Sequence, residues 1–237
     1  MPKQTSLWVW VILCCSWTGA GAADPAADRV RTDWAYLERF RSENATLGAA
    51  RRGAPRVVFI GDSITGGWRT QQQSWFDMHG YVGRGISGQT TPQMLVRFRA
   101  DVVNLGPAVV HIMGGTNDIA QNTGVETAEE IEGYIASMVE LARSNHIKVV
   151  IAAIPPAAAF PWRPELAPKP LIEAVNHWLR AYASHKHLVF VDYGEILATS
   201  QGAMKAEYSA DGVHPNEAGY LAMAPAAQAA IRRALRP

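Results

Sequence analysis

Five short runs of the chain are apolar almost without interruption: Arg56–Ile60, a weaker Tyr81–Ile86, Ala108–Met113, Lys148–Ile154 and Leu188–Asp192. Their length and β-branched content predict strands. The lack of polar alternation predicts strands covered on both faces, as in a parallel sheet. Between them the apolar positions recur at helical spacing. Pro92 behind Thr91 reads as a first-turn proline and opens a helix over Gln93–Val103. Thr127-Ala128-Glu129-Glu130 fits a capping box, with Ile131, Tyr134, Ile135, Met138, Val139 and Ala142 forming the stripe behind it. Pro170 begins another helix, with Leu171, Ala174, Val175, Trp178 and Tyr182 on one side. A last helix is expected from about Asn216, kinked or split at Pro225. Strands alternating with helices predict an α/β fold with a doubly wound parallel sheet. Ligands of such sheets bind at the carboxyl ends of the strands. No repeat or linker interrupts the pattern, which predicts one domain from about Arg29 to Leu235.

The amino-terminal residues follow another pattern. Lys3 precedes an apolar stretch from Leu7 to Trp17, followed by small residues through Ala23. This is the layout of a secretory signal over residues 1–23, with Ala20-Gly21-Ala22 as its cleavage motif. The apolar stretch falls short of the about 20 residues a bilayer span needs, so no stable membrane span is expected. The reading is of an exported protein, periplasmic or secreted, with residues 24–237 as a single domain. Both cysteines, Cys14 and Cys15, lie inside the signal. A mature chain without them has no thiol for disulfides, thiolate metal sites or cysteine nucleophiles. The 22 basic and 21 acidic residues nearly cancel, and no block of like charge favours nucleic acid. Hydrophobic residues at 48% with 18% charged indicate a globular chain.

Four segments at strand ends carry the chemistry. Ser63 leaves the first strand in Gly61-Asp62-Ser63; taken alone, such a serine is more often a helix cap. Thr65 stands where a nucleophile elbow has its second glycine, so a gentler turn is expected. Gly88, in Gly85-Ile86-Ser87-Gly88-Gln89-Thr90, fits either a tight turn or an N–H open to a developing oxyanion. Asn117, in Gly114-Gly115-Thr116-Asn117-Asp118, fits loop bracing or oxyanion donation, with Asp118 in support. Asp211-Gly212-Val213-His214 places a carboxylate three residues before an imidazole. A hydroxyl becomes a useful nucleophile when a base takes its proton and a third group orients that base. The serine and the Asp-His pair together read as a serine esterase.

In this order the four segments resemble the blocks of the SGNH, or GDSL, hydrolase family, and the likeness runs from about Arg56 to the last helix. Ile64 stands where the family commonly has leucine. The resemblance implies a three-layer flavodoxin-like fold with a five-stranded parallel sheet in the order 2-1-3-4-5. It implies Ser63 as nucleophile, Asp211 and His214 as the rest of a triad, and an oxyanion hole from the Ser63 N–H, the Gly88 N–H and the Asn117 side chain. It implies no metal and no cofactor. Segments after the nucleophile are similar to the acetylhydrolase-like branch. The implied activity is hydrolysis of small acyl esters, acetyl above all, on a small molecule or a polysaccharide. A lysophospholipase or thioesterase, an acetyl transferase and a non-catalytic carbohydrate-binding protein are the competing readings.

Other residues are weaker signals. Trp68, Trp75 and Trp162 fit either core or rim packing, the commoner role, or the lining of a substrate cleft, with Trp68 and Trp162 as the substrate-binding candidates and Phe160 and Arg163 in the same loop as Trp162. His79, His111, His146, His177, His185 and His187 lack companions at metal-ligand spacing. Asn44-Ala45-Thr46 matches a glycosylation acceptor.

Overall fold

The computed structural model describes residues 31–48 and 55–236, so the signal reading of residues 1–23 lies outside the described part. Helix α1 (Arg41–Thr46) precedes strand β1 (Val57–Gly61), helices α2 (Ser63–Gln71) and α3 (Gln73–His79), and strand β2 (Tyr81–Gly85). Helix α4 (Thr91–Asp101), strand β3 (Val109–Met113), the short α5 (Thr116–Ile119), α6 (Ala128–Ser144) and β4 (Lys148–Ala152) follow. The remainder comprises α7 (Pro168–His185), β5 (Val189–Val191), the short α8 (Gly194–Leu197) and α9 (Glu217–Leu235). The five strands are all parallel, in the order β2-β1-β3-β4-β5 that the resemblance implies.

Alternate residues of each strand feed two separate cores. Val58 and Ile60 of β1, with Val110, Ile112, Val149 and Ile151, pack against α4, α6 and α7 through residues such as Phe98, Ile135 and Leu179. Val57 and Phe59, with Val109, Met113 and Val150, pack against α2, α3, α8 and α9 through Trp68, Phe76, Leu197 and Met223. The sheet is thus a middle layer buried on both sides, which is why its strands carry no polar alternation.

Register decides where the site forms. Gly61 pairs with Gly85 on one side and with Met113 on the other, so three strands end level. The segments that leave them, beginning at Asp62, Ile86 and Gly114, rise side by side.

The helices depart from expectation in several places: α1, α2, α3, α5 and α8 match no predicted helix, and α9 differs at its proline. Helix α2 was not legible as a helix, because its sequence carries Gly66-Gly67 and little apolar periodicity. It is held instead by an aspartate cap and the burial of Ile64, Thr65 and Trp68. Helix α9 continues through Pro225 rather than splitting there. Pro225 and Leu221, whose carbonyl loses its usual partner, both lie on the exposed side, where water can take the orphaned acceptor.

Gly85 marks the tightest contact in this frame. A Cβ at that position would stand 2.6 Å from the Thr65 carbonyl carbon and 2.7 Å from the Asp62 carbonyl oxygen, both of them backbone atoms. Gly85→Ala is expected to cost about 1–3 kcal/mol, the usual range for overpacking. It should also lower activity, since the displaced turn carries Ser63. Urea denaturation alongside ester turnover checks both, and an unchanged midpoint would contradict the contact.

Candidate active site

Ser63 is the first residue of α2, and Asp62 is its N-cap. The Asp62 carboxylate accepts from the Ile64 N–H at 2.9 Å. The N–H of Ser63 has no acceptor within the helix, as holds for any first-turn residue. The positive end of the helix dipole therefore sits at the serine. The cap reading and the nucleophile reading of this segment fall on neighbouring residues.

His214 reaches Ser63 because α9 docks on α2. The Tyr220 hydroxyl donates to the Ile64 carbonyl at 2.9 Å, and its ring stacks on Trp68 at 5.8 Å. Asn216 caps α9 by accepting from the Gly219 N–H at 3.0 Å. In the turn just before, Asp211 Oδ1 accepts from the N–H groups of Val213 at 2.9 Å and His214 at 2.8 Å. Its Oδ2 stands 2.7 Å from His214 Nδ1, and His214 Nε2 stands 2.9 Å from Ser63 Oγ. Ser209, which sequence reasoning missed, braces this turn: its hydroxyl accepts from the Gly212 N–H at 3.0 Å and lies 2.8 Å from the His214 carbonyl. Acceptance by Asp211 at Nδ1 places the ring proton there and leaves Nε2 as the acceptor facing the serine.

The segments of Gly88 and Asn117 are tied together by amides. Gly88 has φ +76° in the turn closed by the Gln89 N–H on the Ile86 carbonyl at 3.3 Å, a conformation that suits a residue without Cβ. Asn117 Nδ2 donates one hydrogen to the Gln89 carbonyl at 3.0 Å, leaving the second free. Asn122 donates to Asn117 Oδ1 at 3.0 Å and to the Gly88 carbonyl at 3.2 Å, which fixes the orientation of the Asn117 amide. Nothing in the sequence marks Asn122 for this task. Asp118 accepts from the Thr91 N–H at 2.9 Å and so ties this loop to the start of α4.

Burial and hydrogen bonding split the carboxylates. Burial works to raise Asp211, but donation by the His214 backbone, the His214 ring and the Val213 backbone outweighs it and holds the group at about 2. Asp62 is pushed up to about 6, chiefly by burial, with the nearby Asp118 adding to the shift and the Ile64 N–H opposing it. Burial likewise raises Asp118 against its bonds from Thr91. Beneath the site, His111 is fully buried, stacked on Phe59 at 4.6 Å and 2.9 Å from the Tyr193 hydroxyl. Burial pushes it down to about 3, so it is a neutral core residue.

The two cleft tryptophans part company. Trp162, 40% exposed, stacks on buried Phe160 and stands 5.7 Å from the His214 ring, at the rim of the site. Trp68 is 0% exposed and packs between Phe59, Trp75 and Tyr220. The reading of Trp68 as a substrate-binding candidate is therefore corrected: it faces the sheet, and substrate cannot reach it. The Asn44 amide donates to Asp101 at 2.7 Å and to the Ala100 carbonyl at 3.3 Å. Among the described residues no group of three or more His, Cys, Asp or Glu is placed to hold a metal. A cavity of about 590 Å³ bordered by Arg143, Lys148, Lys186 and Arg233 lies at the amino ends of β4 and β5, away from Ser63.

The Asp62 environment has a pH signature. From 3.8 to about 6 the folded protein holds a proton that the unfolded chain releases, so this group lowers stability as pH rises through that window. Asp62→Asn keeps the cap acceptor and removes the buried charge. Above pH 6 it should be more stable than the parent by on the order of 2–3 kcal/mol, the advantage shrinking toward pH 4. Denaturant midpoints across pH measure this; a pH-independent difference would contradict it.

Comparisons with known proteins find a family and solved structures similar to this chain. The model of the GDSL-like Lipase/Acylhydrolase family matches residues 59–222. A GDSL-like lipase from Bacteroides thetaiotaomicron VPI-5482 is 43% identical with TM-score 0.83, covering 86% of this chain and 100% of its own. A protein from Bacteroides fragilis NCTC 9343 assigned as an acylhydrolase is 47% identical with TM-score 0.83, covering 86% and 99%. An acetylxylan esterase from Geobacillus stearothermophilus shares the fold at 22% identity, TM-score 0.58, covering 77% and 95%. An uncharacterized lipoprotein of Bacillus subtilis (strain 168), YqeF, is 31% identical over 123 residues, 45% of this chain; the match spans about half, 51%, of that relative's length. With the family's segments, sheet order and more than half of its length matched, the chain belongs to the GDSL-like lipase/acylhydrolase family and is an ester hydrolase.

Proposed function

We propose that the protein is an exported serine esterase that removes small acyl groups, acetyl above all, through an acyl-enzyme formed on Ser63. The observation that carries the reading is the chain of contacts Ser63 Oγ to His214 Nε2 at 2.9 Å and His214 Nδ1 to Asp211 at 2.7 Å. His214 takes the hydroxyl proton as Ser63 attacks the ester carbonyl. Asp211, ionised throughout the neutral range, holds the Nδ1 proton and stabilises the imidazolium that forms. The developing oxyanion receives the Ser63 N–H, the Gly88 N–H and the spare hydrogen of Asn117. The alcohol leaves with the proton from His214. Water then attacks the acyl-serine with His214 again as base. Every step uses groups of this chain.

The preference for a short acyl group rests on the likeness to the acetylhydrolase-like branch. The export reading rests on the pattern of residues 1–23, with residues 24–237 as the mature domain. No described helix is long and apolar enough to cross a membrane.

Ser63→Ala is expected to abolish turnover. Asn117→Ala should lower kcat on the order of 100- to 1000-fold with a much smaller change in KM, as for loss of one oxyanion donor. A p-nitrophenyl ester series from acetyl to decanoyl tests the acyl preference on the same preparations. Preference for decanoyl or longer would reject the short-acyl reading, and unaltered turnover by Ser63→Ala would reject the mechanism.

A further inference from the structure

The loop between α5 and α6 carries Asn122, the amide that orients Asn117, yet its outer residues bury little. Asn122, Thr123, Gly124 and Val125 are all exposed, Val125 at 78%. Two left-handed residues, Gln121 at φ +58° and Gly124 at φ +125°, turn the chain back on itself. Glu126, at the end of the loop, thereby meets Asp118 at its start, and the two side-chain carboxyl groups hydrogen-bond each other.

Such a bond needs a proton, because both groups are acceptors only when ionised. Glu126 Oε2 is buried, and among the described residues no other donor reaches it. Its second oxygen receives the Thr123 hydroxyl at 3.3 Å. Asp118 is better supplied: Oδ1 accepts from the Thr91 N–H at 2.9 Å and from the Thr91 hydroxyl at 2.5 Å. Donors favour the ionised form, so the charge belongs to Asp118 and the proton to Glu126. Burial, the bond to Asp118 and the charge of Asp118 push Glu126 up to about 7, against the Thr123 hydroxyl.

The charged groups around the pair do not relieve it. Glu130 in the first turn of α6 and Asp62 at the head of α2 are acidic and add to the repulsion. Across the site, His214 bears on Asp62. On α4, Arg97 is committed to Gly61, Gln89 and Asp101. On α7, Lys169 pairs with Glu173.

The Asp118–Glu126 clasp closes the loop around Asn122, which donates to Asn117 Oδ1 at 3.0 Å. We propose that Glu126, as a carboxylic acid donating to Asp118, is a positioning residue for the Asn117 amide. The clasp is closed at low pH and opens as pH rises. Its proton then passes to solvent, two like charges face each other, and Asn122 loses its hold on Asn117. Asn117 matters here as the oxyanion donor of the esterase reading, on which this role for Glu126 rests.

Activity and structure are tested separately. Wild type, Glu126→Gln and Glu126→Ala are compared on p-nitrophenyl acetate. The Gln amide donates to Asp118 with no proton to lose, so Glu126→Gln should keep kcat within about threefold of wild type at about pH 6. From about pH 6 to about pH 8.5 the ratio of wild-type to Glu126→Gln kcat should fall about fivefold or more, part of the cost of losing an oxyanion donor. Titration of His214 is common to both proteins and cancels in the ratio. Glu126→Ala should lower kcat about tenfold throughout, with KM little changed. A ratio that does not move with pH overturns the proposal, as does wild-type kcat in Glu126→Ala. Nuclear magnetic resonance tests the clasp without turnover. With glutamate isotope-labelled at its side-chain carboxyl, one resonance should titrate near neutrality and vanish in Glu126→Gln. The Asn117 side-chain amide signals, identified by Asn117→Ala, should move with it. Titration of every glutamate in the ordinary carboxylate range overturns the clasp, and Asn117 signals that ignore the titration overturn the positioning. Unaltered turnover by Ser63→Ala would reject the esterase mechanism alone, since the two resonance measurements then decide the clasp by themselves.

Discussion

A single buried guanidinium links the parts that must face one another. Arg97 of α4 is 0% exposed; it donates to the Gly61 carbonyl at 2.8 Å, to the Gln89 side chain at 2.5 Å and to Asp101 at 3.0 Å. Gly61 leads into Ser63, and Gln89 follows Gly88 and receives the Asn117 amide on its carbonyl. One side chain therefore sets the spacing between the Ser63 turn and the Gly88 turn. Burial lowers Arg97 to about 10, with Asp101 opposing, so it stays charged at neutral pH. Such a pair contributes little net stability against an apolar replacement, yet removing either partner strands the other charge. Its value here is geometric: a planar fork with three acceptors in fixed directions.

The second half of the site arrives by a different route. The Asp211–His214 turn is rigid in itself, since Asp211 satisfies two backbone N–H groups before it meets the imidazole. What places that rigid unit is the seating of α9 on α2, through Tyr220, Trp68 and the alanines of the inner face. The two routes converge on Ser63, one fixing where it stands and the other what stands over it.

How far the sequence disclosed this follows from how local each cause is. The strands were readable because burial on both faces imposes near-continuous apolar runs, and the helices with caps were readable from Thr127 and Asn216. The placement of Ser63, Gly88 and Asn117 just past strand ends followed from the alternation of elements, whereas the Asp211–His214 turn follows no strand and reaches Ser63 through the docking of α9. Helix α2 was unreadable because tertiary packing rather than propensity holds it. For Trp68 the sequence left core and cleft open, because closeness in sequence to Ser63 says nothing about which side of a helix it occupies; burial decides for the core. Arg97 and Asn122 left no mark, since each matters through a partner distant in sequence, 36 positions from Arg97 to Gly61 and 34 from Asn122 to Gly88.

The bond from Tyr220 to Ile64 spans 156 positions. A ribosome releases Ser63 long before it releases His214 and Tyr220, so the contacts that join the two ends of the chain form only after the last helix has been made and has docked on α2.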